Sequence, residues 1–222
     1  GQDSSRTPRL RRRGAGAGPH RHPQHVLRAE VRSERFGPPP QHSPFPAAAL
    51  EKEYDYVISY ISPWIVPKEV LGHARVAAIN LHPGSPEYPG VGCTNFAIYN
   101  GAKEFGITVH HMAEKVDSGA IIMVKRFSIL PDDTVYSLTQ RCYEHIYAAF
   151  QELVPYLANN TPLPQSDEQW RRKPYTRKEL NELCRITKDM SDEEIRRRVR
   201  ATTYPGMPGA YIELGGHRFE YK

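Results

Sequence analysis

From Tyr54 onward the apolar residues follow two alternating rhythms, and each rhythm names an element. "YDYVISYI" (54–61), "RVAAINLH" (75–82), "EFGITVHHM" (104–112) and "GAIIMVKRFSI" (119–129) are β-branched or aromatic runs of strand length. Between them, "PKEVLGHA" (67–74) opens on a proline suited to the first turn of a helix. "GCTNFAIYNGA" (92–102) sets Thr94 or Asn95 as the cap of an apolar helical stretch that closes at Asn100-Gly101. "PDDTVYSLTQRCYEHIYAAFQELVPYLANN" (131–160) offers Asp133 or Thr134 as a cap. Leu138, Tyr143, Ile146, Ala149, Phe150, Leu153 and Leu157 then form the stripe of a long amphipathic helix. Strands alternating with helices predict an α/β chain with a Rossmann-like, doubly wound, mostly parallel sheet. After a polar linker near residues 160–174 come two helical stretches, "RKELNELCRI" and "SDEEIRRRVRAT". A hairpin, "GAYIELGGHRFEYK", follows with Gly215-Gly216 at its turn.

Residues 1–50 share neither rhythm. They hold eight Pro and almost no Ile, Val or Leu to bury, so a solvated arm is expected there. They also carry nine Arg, no Lys and three acids, a local balance of +6, while the other 172 residues hold 21 basic and 22 acidic side chains, a balance of −1. The net charge of +5 therefore belongs to the arm, and the body carries no electrostatic footprint for nucleic acid. Arg, Pro, Gly, Ala and His without Lys is also what GC-rich DNA yields when translated out of frame, a second account of the segment. This reading divides the chain into residues 1–50 as arm or mistranslated segment, 51–160 as core and 161–222 as a helical and hairpin extension. Three separated cysteines without a CxxC pair predict neither a disulfide framework nor a zinc site, and no run reaches the ~20 apolar residues of a membrane span. A cytoplasmic setting fits that pattern.

The candidate chemistry lies where the second strand ends. In "INLHPGSPEYPG" (79–90) Asn80 and His82 leave the strand on one face, because side chains i and i+2 share a side. Ligands of open α/β sheets bind beyond the carboxyl ends of strands, and Asp117 follows the third strand in "AEKVDSGA". An Asn, a His and an Asp brought together suit acyl-type transfer. The imidazole moves a proton from an attacking amine, the carboxylate orients it, and an amide N–H stabilises the oxyanion. Ser85 lacks a nucleophile-elbow context and Cys93 a basic neighbour, so direct attack by the substrate is favoured over a covalent intermediate. His110, His111 and Glu114 raise metal ligation, but consecutive strand residues face opposite ways, and no metal is expected.

"INLHPGSPEYPG", "NFAIYNGAKEFGITVHHM" and "EKVDSGAII" together resemble the catalytic core of the folate-dependent formyltransferases. That family includes methionyl-tRNA formyltransferase, glycinamide ribonucleotide formyltransferase and the nucleotide-sugar N-formyltransferases. The resemblance covers roughly residues 54–160 and implies the formyltransferase fold, with 10-formyltetrahydrofolate as donor and Asn80, His82 and Asp117 as the catalytic centre. It implies folate contacts at Gly84, Ser85 and Pro86, in a turn one residue shorter than the family's S-L-L-P. Pro89-Gly90 stands where the family has Arg-Gly. "SYISPWIVP" is similar to the loop that offers backbone groups to the pterin, which adds Trp64, Ile65, Val66 and Val116 as candidates.

"WRRKPYTRKELNELCRI" and "RVRATTYPGMPGAYIEL" resemble the tail of small formyltransferases acting on amino-sugars, so the expected acceptor is an amine on a nucleotide-linked sugar. Another small amine or an aminoacyl-tRNA is the alternative within the class, and an inactive homologue that only binds folate or a partner is the alternative outside it. No membrane or nucleic-acid partner is expected, and a homodimer is left open. The family also begins with a strand–helix–strand unit that residues 1–50 do not spell, so the N-terminal strands are expected to be missing.

Overall fold

A computed structural model describes residue 45 and residues 50–62 and 64–221. The expectations for the arm and for the missing N-terminal strands lie outside the described residues. Four strands, β1 (Tyr54–Tyr60), β2 (Ala74–His82), β3 (Glu104–His111) and β4 (Ile121–Ser128), form one sheet in that order. Helix α1 (Lys68–Gly72) joins β1 to β2, α2 (Cys93–Tyr99) precedes β3, and the 25-residue α3 (Val135–Asn159) follows β4. The α/β class is as expected, but the described pairing is mixed rather than mostly parallel. β1–β2 is parallel, whereas β2–β3 and β3–β4 are antiparallel. The nine residues 112–120 between β3 and β4 hold no helix, and so short a connection returns a strand beside its neighbour in the opposite sense.

Alternation sorts each strand into two faces. Ile79 and Leu81 of β2 and Phe105, Ile107 and Val109 of β3 are buried in the main core, against Leu138, Cys142, Ile146, Ala149, Leu153 and Leu157 of α3. Each such side chain contributes roughly 1.5–3 kcal/mol on burial. Tyr143 and Phe150, placed on the α3 stripe by periodicity, flank it half-buried, and Cys142 takes the central position. The opposite face carries Ala78, Asn80 and His82 on β2 and Gly106, Thr108 and His110 on β3. The site therefore occupies the side of the sheet away from α3.

Local caps follow the expected chemistry with one correction. Thr134 caps α3 in a capping box with Ser137. Helix α2 begins at Cys93 behind Gly92, whose φ of 74° no β-carbon favours, so Thr94 lies inside the helix and the Asn95 amide instead bonds the Ala201 carbonyl at 2.8 Å. Beyond residue 160 lie α4 (Arg177–Cys184), β5 (Arg185–Ile186), α5 (Asp192–Thr202), β6 (Tyr211–Leu214) and β7 (His217–Glu220). The expected hairpin is β6–β7, and β5 extends it to three strands by pairing parallel to β6.

Candidate active site

β2 delivers Asn80 and His82 to one face as alternation requires, and the loop after β3 carries Asp117 to them. β3 runs antiparallel to β2, so its last residue, His111, pairs with Ile79 rather than reaching the end of β2. Residues 112–120 then turn back over the face. Asp117 sits at the apex with a φ of 44°, a left-handed conformation that Asp tolerates better than most side chains.

Every oxygen of that carboxylate is engaged. Oδ2 accepts the Gly90 N–H at 2.7 Å and lies 3.3 Å from Nδ1 of His82. Oδ1 accepts from the Asn80 amide at 3.3 Å and lies 3.3 Å from Nε2 of His110. Burial alone would raise the Asp117 pKa, but His82, the bond from His110 and the Gly90 N–H overturn this and hold it at about 2. His82 is 5% exposed. Burial pulls its pKa below the ordinary value against the opposing pull of Asp117 and the Tyr88 carbonyl, so a neutral imidazole faces a fixed carboxylate at pH 7.

Both ring nitrogens of His82 face acceptors. Nδ1 faces Asp117, and Nε2 lies 3.1 Å from the Tyr88 carbonyl. Neutral imidazole has one N–H and can satisfy only one of them, whereas imidazolium donates to both. The two acceptors thus favour imidazolium while burial opposes it, and burial prevails. Gly84 makes room for this arrangement, because a β-carbon there would stand 2.6 Å from Nε2 of His82 and 2.7 Å from the Tyr88 carbonyl. The Thr108 hydroxyl fixes the same turn by donating to the Gly84 carbonyl at 2.8 Å.

His110 is the residue that sequence reasoning missed, having weighed it only as a metal ligand. It pairs with Asn80 across β2–β3, is 2% exposed, and directs Nδ1 at the His111 carbonyl at 2.8 Å. Its Nε2 lies 3.1 Å from the Asn80 amide nitrogen and 3.3 Å from Oδ1 of Asp117, and the tautomer of the ring sets which of these contacts it donates to. The Asn80 amide nitrogen thus lies within hydrogen-bond reach of both His110 and Asp117. The cross-strand register that brings His110 here is not written in either strand alone. Gly90 and Trp170 were likewise unforeseen. Trp170 places its ring edge-on to His110 at 5.0 Å and to His82 at 5.9 Å.

The remaining candidates divide. Gly84, Ser85 and Pro86 are buried in the turn beside His82. Trp64, Ile65 and Val66 lie on the loop after β1, where Ile65 is 74% exposed, Val66 packs on a small cluster with Val57 and Val70, and Trp64 meets Phe45 edge-on at 6.2 Å. Val116, beside Asp117, is 42% exposed. Ile65 and Val116 thus stand open, whereas His82 and Asp117 are buried. Cys93 is buried, its thiol pushed up to about 12, which leaves no thiolate nucleophile. Among the described residues no group of three or more His, Cys, Asp or Glu is arranged to hold a metal ion.

The formyl transferase family profile matches residues 23–154. The chain belongs to the formyl transferase family. GDP-perosamine N-formyltransferase of Brucella melitensis is 30% identical over 163 residues, which cover 73% of this chain and 62% of that protein. The chain thus spans about three fifths of that relative's length. A sugar N-formyltransferase from Shewanella has the same fold, with a TM-score of 0.67 at 25% identity over 79% of this chain and 71% of its own. An N-formyltransferase from Helicobacter canadensis, solved with folinic acid and dTDP-3-aminofucose, superposes at a TM-score of 0.54 and 22% identity over 69% of this chain and 56% of its own.

Proposed function

We propose that this chain transfers the formyl group of 10-formyltetrahydrofolate to a primary amine on a nucleotide-linked sugar, with Asn80, His82 and Asp117 as its catalytic residues. The observation that carries the reading is the Asp117–His82 pair, a buried neutral imidazole backed by an ionised carboxylate. Support for the acceptor class comes from the relatives, which include an enzyme named for GDP-perosamine and a structure holding a dTDP-amino-sugar beside a folate.

In the proposed step the amine nitrogen attacks the formyl carbon and His82 takes the proton that nitrogen sheds. The carbon–nitrogen bond to the folate then breaks, and His82 returns the proton to the departing folate nitrogen. Asp117 keeps the ring oriented, and with the Tyr88 carbonyl it stabilises the imidazolium between the two transfers. Asn80 serves the oxyanion by exchanging its longer, 3.3 Å bond to Asp117 for the substrate oxygen. The folate is expected against Ile65 and Val116, with Trp64, Val66 and the Gly84–Pro86 turn as further contacts.

An acceptor screen tests this. The full chain is given 10-formyltetrahydrofolate and amino-sugars carried on dTDP, GDP or UDP, and tetrahydrofolate release is followed beside glycinamide ribonucleotide and methionyl-tRNA. Release dependent on an amino-sugar nucleotide is expected. A folded chain that binds folate and releases nothing with any amine would leave the binding-protein reading instead.

A further inference from the structure

The segment between α3 and α4 has almost no regular structure, yet it is tied to the site at every other turn. Ser166 donates its N–H to the Ile121 carbonyl at 3.1 Å, and Glu168 pairs with Arg126, which also holds Glu87 of the turn after β2. The Trp170 indole N–H reaches the Gly119 carbonyl at 2.8 Å, and the Arg171 N–H reaches the Pro86 carbonyl at 3.0 Å. Tyr175 then pairs with the 89–91 backbone, donating to the Pro89 carbonyl at 2.8 Å and accepting from the Val91 N–H at 3.0 Å. Gly90, whose N–H holds Asp117, lies between those two bonds and bridges to Tyr175. These contacts join the two pieces of chain that carry the reactive groups, the turn after His82 and the loop around Asp117.

We propose that residues 166–175 are a strap that completes the reactive site, and that Trp170 is a positioning residue for His82. The inference rests on the formyl-transfer reading for its kinetic consequence, and on geometry alone for its structural one. An imidazole held only through its nitrogens can still rock about its side-chain bonds and admit water along its edge. Trp170 closes that edge for His82 and His110 together, and its indole N–H anchors it to Gly119, two residues from Asp117. The same closure keeps water from the ring, which holds His82 neutral. The charged and polar groups facing His82 are Asp117 from the β3–β4 loop, His110 from β3 and the Tyr88 carbonyl from the turn. None of them can replace the indole as a water barrier.

The test uses the full chain with Trp170→Phe, Trp170→Leu and Trp170→Ala. NMR titration of the two histidines needs no substrate, so it separates failure of this inference from failure of the formyl-transfer reading. The His82 midpoint is expected to move up toward the ordinary value of ~6.5 in the Ala variant and to stay near the parent in the Phe variant. With a working acceptor, kcat of the Ala variant is expected to fall about tenfold to a hundredfold, with the KM for the donor changed less than about threefold. The Phe variant should regain most of that loss. Trp170→Leu removes the ring that meets both imidazoles and the indole N–H but leaves a smaller void, so its His82 midpoint is expected to move in the same direction by less, and it gives the reading if Trp170→Ala does not fold. An unchanged His82 midpoint in a folded Ala or Leu variant would overturn the proposal and leave the strap a purely structural tie.

Discussion

The turn after β2 and the loop after β1 leave neighbouring parallel strands at the same edge of the sheet, yet they differ in nearly everything else. In the turn, Gly84, Ser85, Pro86, Tyr88 and Pro89 are buried, and a single β-carbon at Gly84 would collide with His82. In the loop, Ile65 is 74% exposed, and Trp64 and Val66 are half-buried. The difference teaches where constraint lies. A proton-transfer group must be held by several bonds at once, so its surroundings are filled. A surface that recognises a substrate must be free to receive it, so its side chains stand open. Substitutions in the turn should therefore act chiefly on kcat, with a smaller effect on folate KM through the Gly84–Pro86 contacts, and substitutions in the loop on KM alone.

The tightly held side of that contrast is tested most strongly at Asp117, whose carboxylate accepts the N–H of Gly90 in the turn at 2.7 Å. Asp117→Asn keeps a side chain that tolerates the left-handed backbone, but its amide nitrogen faces donors that the carboxylate satisfied. Turnover is expected to fall roughly 100-fold to 10,000-fold with the fold retained. A KM effect alone, with kcat preserved, would erase the distinction between the two regions.

Next in size is Gly84→Ala. Its β-carbon would stand 2.6 Å from Nε2 of His82 and 2.7 Å from a backbone oxygen, so the imidazole or the turn must move. We expect turnover to drop by about 100-fold and thermal stability to fall by on the order of 1–3 kcal/mol, measured by denaturation beside the parent chain. Equal turnover in the two proteins would show that the turn has more freedom than its packing implies.

The buried state of His82 also sets the pH dependence of the rate. Burial lowers the His82 pKa, so the neutral base persists above that pKa and the rate should be lost only as the pH falls through it, below ~6.5. Stability follows the same sign. Neutral His82 favours the folded state above the unfolded histidine value, and that contribution is lost on acidification. Asp117, at about 2, adds a second loss as pH falls below the ordinary carboxylate range. A rate already falling on acidification from pH 8 would contradict the buried, neutral ring.

The smallest effect belongs to the loop. Ile65→Ser removes exposed apolar surface without touching the cluster, and is expected to raise the KM for the folate several-fold while kcat and melting temperature stay within about twofold and a few degrees. A large fall in kcat from this residue would mean that the loop takes part in the chemistry.

Much of this site was legible because period-2 alternation is a local property. Asn80 and His82 could be placed on one face from eight residues of sequence, and the α3 stripe and the Thr134 cap were equally local. Asp117 needed the resemblance, since nothing near it in the chain says which face its loop will cross. His110 depended on the pairing of Asn80 with a strand 30 residues away, and the sense of β3 depended on a short connection that composition does not reveal. Trp170 lies in a stretch with no period at all, held by backbone bonds of Ser166, Arg171 and Tyr175 and by the side chains of Glu168 and Trp170, whose partners are all distant in sequence. What sequence conveys poorly here is register and long-range closure, because both are decided by partners rather than by the residue itself.

In the proposed reaction His82 moves the proton as an amine attacks a folate-borne formyl group. The most direct test of this role is single-turnover release of tetrahydrofolate by the parent chain and by His82→Gln, with the best acceptor from the screen and both proteins matched for folding by circular dichroism. The account predicts that the rate constant of the Gln variant is lower by at least about 100-fold, and that it no longer varies with pH between about 5 and 7. A variant rate within about threefold of the parent, still falling on acidification, would contradict it.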